Sequence, residues 1–215
     1  MITLYTSITN SKDTPPKQDY PITVFEDAYD KFKDPRRNSR IHKIMPHKYI
    51  ESEYTIYMDG NMKLLISPEE VIKRYMTGYD IALFAHGCRD CIYDEAMECA
   101  KLKLDDVETI IEQAKYYEDH EYAKHKGLLQ GGFIIRRNNA RTQAFNEAWW
   151  ADYCRFSRRD QLSLMPAIEK SGVIVNQINE HWVDHYDGTA HIGDIIEMYS
   201  HKSLEGNFND PNIKR

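Results

Sequence analysis

With 215 residues and 41% hydrophobic content, the chain is long enough for one sizeable core and short for two independent ones. Its 28 Lys+Arg against 34 Asp+Glu leave a formal charge of −6, which excludes a nucleic-acid binder held by bulk electrostatics. Any anion site must therefore be local. The opening residues lack a basic segment followed by an apolar one, and no stretch approaches the ~18 consecutive apolar residues of a membrane span. The expectation is a cytoplasmic, soluble protein with no membrane span and no nucleic-acid partner. Cys88, Cys91, Cys99 and Cys154 are too few and too irregular for a secreted disulfide scaffold. Cys88-x-x-Cys91 can form half of a zinc site, but a second cysteine pair is lacking.

In chain order, residues 2–8 read as an opening strand, 9–20 as a polar loop with Pro15-Pro16, and 22–25 as a second strand ending in Glu26-Asp27. The segment from Asp34 to Lys48 is basic. Arg37, Arg40 and Lys43 are three apart and share one face of a helix there, while Ile41, Ile44 and Met45 can face the core and Pro46 stops the helix. Residues 54–66 form an apolar run interrupted at Asp59-Gly60-Asn61. Two readings of the interruption stand side by side: a buried strand delivering a carboxylate and a carboxamide to its end, or a hairpin turned on Asp-Gly.

Ser67, Pro68 and Glu70 make a capping box for a helix running to about Thr77. Gly78 breaks that helix, and residues 81–85 make a buried strand closed by the polar cluster His86 to Asp90. Helices are predicted over 93–102 and 105–125, the second ended by Gly127. Gly131-Gly132 let a loop-to-strand segment, 128–137, approach something closely. An amphipathic helix follows over 142–156, then another to about Lys170, then a strand over 172–176. From Asn179 on, the chain reads as a loop carrying His181, His185 and His191, then a polar tail over 203–215.

Six fragments, in order from Ile2 to Ser163, carry a resemblance. They are Tyr5-Thr6-Ser7-Ile8-Thr9, Arg40 to His47, Tyr57-Met58-Asp59-Gly60-Asn61, His86 to Arg89, Tyr93 to Ala96, and Trp149-Trp150 leading to Ser157-Arg158-Arg159-Asp160-Gln161-Leu162-Ser163. Together they resemble the plant mucilage-type glycosyltransferase-like family, which has bacterial and viral members.

The resemblance implies an α/β fold: a single-domain GT-A-like, Rossmann-like mixed sheet flanked by helices, over residues 1–202. It also implies a nucleotide-diphospho-sugar donor and a glycan or other hydroxyl acceptor. A divalent ion, Mn2+ or Mg2+, is expected against the donor diphosphate, with Asp59 and Asn61 in place of the family's Asp-x-Asp and His191 (His185 in reserve) completing the site. An Asn oxygen ligates a hard cation without bringing charge. On the same likeness Thr6, Arg37, Arg40, Lys43, Asp59 and Arg89 are donor-binding candidates. Asp160 and Gln161 are the catalytic pair that retaining relatives place beside the donor sugar, and Glu95 is a second polar contact. The alternative reading is a non-catalytic glycan- or partner-binding module on a degenerate form of the fold. A third, a metal-dependent hydrolase, uses His181, His185 and His191.

Overall fold

A computed structural model describes residues 1–10, 13–27, 29–185 and 188–200. The main sheet is built from β1 (Ile2–Ser7), β2 (Ile22–Phe25), β3 (Tyr54–Met58), β5 (Ile81–Ala85), β6 (Leu129–Arg137) and β7 (Val175–Ile178) in the order β2-β1-β3-β6-β5-β7. Strand β6 runs antiparallel to both neighbours; the other pairings are parallel. Because successive side chains of a strand point to opposite faces, each apolar pair in these strands divides between two cores. Tyr5, Tyr57, Leu83 and Ile134 pack on one face, and Leu4, Ile56, Ala82 and Phe133 on the other. Such double burial is why these strands read as continuous apolar runs.

The first face is covered by α1 (Pro35–Ile44), α5 (Ala140–Arg155) and α6 (Gln161–Ser171), which contribute Ile41, Ile44, Phe145, Trp149, Tyr153 and Leu164. The second face is covered by α2 (Pro68–Tyr75) and by a small antiparallel sheet, β4-β10-β9-β8. That sheet comprises β4 (Met62–Leu64), β8 (Trp182–Asp184), β9 (Ala190–Ile192) and β10 (Ile196–Met198). Helices α3 (Ile92–Lys101) and α4 (Val107–Asp119) form a third, smaller cluster with Leu162. The mixed sheet with flanking helices is the expected class. Among the described residues no helix is long and apolar enough to cross a membrane.

Strands β3 and β4 belong to different sheets, so of the two readings of Asp59-Gly60 the strand end stands and the hairpin falls. Other local expectations are corrected. Helix α4 is shorter than the pattern suggests: Asp106, not Asp105, caps it through Thr109 N, and Glu121 leaves the helix at φ +58°. Helix α5 starts earlier because the Asn139 side chain accepts from Thr142 N. The segment after Asn179 is a sheet rather than a loop; its three-residue strands gain stability only by pairing, β8 with β9, β9 with β10, and β10 with β4 over a hundred residues upstream. The predicted tail, 203–215, lies outside the described residues.

Candidate active site

A cleft of about 590 Å³ opens beyond the carboxyl ends of β1 and β3, between them and the start of β6. The chain leaves β1 for β2 on one side and returns to β3 on the other, so the cleft lies at a point where the strand order reverses, where open α/β sheets bind ligands.

Helix α1 forms one wall. Asp34 accepts from Arg36 N and Pro35 occupies the first turn, which fixes the helix start. Ser7 Oγ, at the end of β1, donates to Ser39 O at 2.8 Å and ties strand to helix. Arg36, Ser39, Arg40 and Lys43 then line the cleft at i, i+3, i+4 and i+7. Opposite them stands Asp160, the residue before α6. Its carbonyl accepts from Trp149 Nε1 at 2.8 Å, and its carboxylate caps no backbone N–H. Asp160 Oδ2 lies 2.5 Å from Lys43 Nζ and 3.1 Å from Arg40 Nε. Burial pushes the Asp160 carboxyl up, but Lys43 and Arg40 outweigh it and hold the group well below the usual carboxylate range.

Asp59, just past β3, is half-buried on the cleft floor. It accepts from the Tyr57 hydroxyl at 2.8 Å, and its N–H continues the ladder to Gly132 O. Burial, then the Asp59 charge, raises the Tyr57 phenol well above 10, so the hydroxyl stays a donor. The paired glycines leave room for the Lys43 ammonium and the Asp59 carboxylate. A Cβ on Gly131 would stand 3.1 Å from Lys43 Nζ, and one on Gly132 would stand 3.2 Å from Asp59 Oδ2. Arg158 and Arg159 complete the rim, Arg158 being held by Asp34 and Asp105 at 2.9 and 3.1 Å. Arg36 makes no ion pair among the described residues, and burial followed by its neighbours Arg158, Arg40 and Arg159 lowers its pKa. A half-buried guanidinium in such a field is a ready partner for a phosphate anion.

Residues 22–180 match the family model described as TOD1/MUCI70, glycosyltransferase-like domain. The chain belongs to the TOD1/MUCI70 family. It is 22% identical over 157 residues to a probable hexosyltransferase MUCI70 of Arabidopsis thaliana, a match that covers 67% of this chain but 27% of that protein. Its backbone is similar to the WbbM bifunctional glycosyltransferase in its apo form (TM-score 0.46, 10% identity, 97% of this chain and 48% of that one). It is similar also to A197 from STIV (TM-score 0.43, 8% identity, 97% and 98%). A third is mouse xyloside xylosyltransferase 1, apo form (TM-score 0.40, 9% identity, 73% and 63%).

In this TOD1/MUCI70 domain the cleft gathers Arg40, Lys43, Asp59, Asp160 and Gln161 from three separate segments, and leaves the other sequence candidates elsewhere. Arg37 does not share the face of Arg40 and Lys43: its guanidinium turns to Tyr153 O and Phe156 O, at 2.7 and 2.6 Å, at the end of α5. Arg36 takes its place. Arg89 pairs with buried Glu95 at 2.6 Å, and Glu95 also accepts from Cys99 Sγ, so neither lines the cleft. Thr6 is buried within β1. Asn61 Nδ2 donates to Tyr199 O at 2.7 Å; the Tyr199 hydroxyl bonds Glu197, which faces His191 at 3.9 Å. Asn61 and His191 are thus linked through the small sheet and not through the cleft. His191 Nδ1 also meets His185 Nε2 at 2.5 Å, but His181, His185 and His191 form no three-ligand cluster among the described residues.

For a divalent ion the cleft offers Asp59, one of whose oxygens is taken by Tyr57. A hard cation that keeps waters and takes substrate phosphates needs only one or two protein carboxylates, so the donor set fits Mg2+ or Mn2+. Sequence reasoning overlooked Arg36, Arg158 and Arg159. The i+4 step from Arg36 to Arg40 was the available signal for the first.

Proposed function

We propose that this chain is a glycosyltransferase that moves a sugar from a nucleotide-diphospho-sugar donor to a hydroxyl of a glycan or similar acceptor. The observation that carries the reading is the row Arg36, Arg40 and Lys43 facing Asp59 and Asp160 across one cleft at strand ends, in a member of a glycosyltransferase-like family. Arg36 and Arg40 bind the diphosphate and stabilise the negative charge that grows on it as the glycosidic bond breaks. Asp59 holds the divalent ion, which when bound neutralises the same leaving group. Asp160, kept ionised by its two cations, accepts from sugar hydroxyls and stabilises positive charge at the anomeric carbon; it is too weak a base to carry protons. Gln161 Nε2 donates to Leu129 O at 3.3 Å, which leaves its oxygen for the sugar. With no free carboxylate assigned as base, retention is preferred over inversion.

Thermal unfolding of wild type and Asp59→Asn against UDP, GDP, CMP and their sugar conjugates, with and without MnCl2, tests the reading. One nucleotide should raise the midpoint, by about 2.7 kcal/mol at a hundredfold excess over Kd, and the metal-dependent part should vanish in Asp59→Asn. A wild type that binds no donor overturns the transferase reading. Metal-dependent binding that persists in Asp59→Asn overturns the role of Asp59 alone.

A further inference from the structure

The Cys88-x-x-Cys91 spacing lacks a second cysteine pair in the sequence, but folding supplies other ligands. Ligand atoms of Cys91, Asp94 and His125 lie within 4.8 Å of one another. Cys91 stands just before α3 and is 1% exposed; its thiol neither caps the helix nor makes any other hydrogen bond among the described residues. Asp94 is in the first turn of α3, and His125 comes from the connection between α4 and β6, where it holds a left-handed backbone at φ +56°. Asp90 Oδ1 contacts His125 Nδ1 at 2.9 Å. That bond selects the tautomer with a proton on Nδ1 and leaves Nε2 as the ligating nitrogen, the carboxylate–histidine arrangement that supports metal-bound imidazoles.

We infer that Cys91, Asp94 and His125 form a zinc site, with Asp90 orienting the histidine and water in the fourth position. A thiolate, an imidazole and a carboxylate suit a borderline-soft d10 ion and not the oxygen-seeking Mg2+. Bonds of ~2.0–2.3 Å to one zinc ion require these atoms, now within 4.8 Å of one another, to draw in around it. The thiol proton leaves on binding, so thiolate and carboxylate together neutralise the ion. The site clips the β5–α3 junction to the segment that feeds β6. None of the three lines the cleft, so the site would act as a staple and take no part in the chemistry there.

The test is a competition titration of zinc against a chromophoric chelator with the full chain, stripped of metal and reduced beforehand, followed by cobalt substitution. One zinc per chain should bind, and Co2+ should give a thiolate charge-transfer band with the intense visible absorption of a tetrahedral site. His125→Ala, an exposed change that leaves the core intact, should weaken zinc more than tenfold, and Asp90→Asn roughly 10–100-fold. Cys91→Ser should abolish the charge-transfer band; Cys88→Ser and Asp59→Asn should leave it unchanged. Absence of zinc binding, or binding that ignores His125→Ala, overturns the site. So does loss of the band on Cys88→Ser. None of these readouts depends on donor binding, so the zinc site and the transferase reading can fail separately.

Discussion

Lys43 Nζ and Asp160 Oδ2 meet at 2.5 Å with their side chains 3% and 12% exposed, and Arg40 Nε shares the same oxygen at 3.1 Å. Removing one partner of a buried pair leaves the other charge uncompensated. Asp160→Asn should therefore cost about 3–5 kcal/mol in chemical unfolding. Because the variant leaves two cations facing the cleft, pyrophosphate should recover more stability in it than in wild type. The Asp160 pKa is lower folded than unfolded, so its contribution is complete above 3.8, the ordinary value of an Asp carboxyl, and is lost as pH falls below that value. Wild type should lose stability on acidification below pH 4 and Asp160→Asn should lose less.

Arg36 and Arg37 are neighbours with opposite duties. Arg37→Ala removes two charge-assisted hydrogen bonds to the end of α5, each worth about 1.5–3 kcal/mol, and should lower the unfolding midpoint while leaving donor affinity nearly unchanged. Arg36→Ala removes a cleft cation without an ion pair and should do the reverse. Paired measurements of melting and of nucleotide-diphosphate binding check both.

Gly132→Ala would put a methyl 3.0 Å from Met62 Cε and 3.2 Å from Asp59 Oδ2. The thioether end can move, so the fold should survive; the carboxylate is pushed from its place. The expected result is a nearly unchanged melting temperature together with weakened Mn2+-dependent donor binding, read by calorimetry. Gly131→Ala should instead disturb Lys43.

His42 stacks on Phe25 at 4.3 Å between ring centres, and its Nδ1 is buried without a hydrogen-bond partner. Burial lowers its pKa from 6.5 to about 4. The unfolded chain therefore binds a proton that the folded chain refuses, and stability should fall as pH drops from about 6.5 to about 4, by roughly 3 kcal/mol. His42→Phe should flatten that part of the stability–pH curve, measured by urea unfolding across the range.

The strands of the main sheet and the start of α2 were legible because they are encoded locally. Apolar runs mark strands buried on both faces, and Ser67-Pro68 with Glu70 sets a helix start whatever lies around it. Asp59 at the end of β3 was legible for the same reason, as a polar break after such a run. Whether the break was a turn depended on what β4 pairs with, and β4 pairs with β10, far along the chain. The small sheet was invisible because three-residue strands carry no periodicity of their own and are stabilised only by partners.

The class of fold, the run of cations on α1 and the two carboxylates of the cleft are encoded along the chain, since each follows from local pattern or from the family motifs. Tertiary packing sets which cation on α1 faces inward, because the rotation of that helix is fixed by its contacts with α5 and β1. It alone brought Asp160 onto Lys43, and His125 onto Cys91, since contacts between residues distant along the chain are a property of packing.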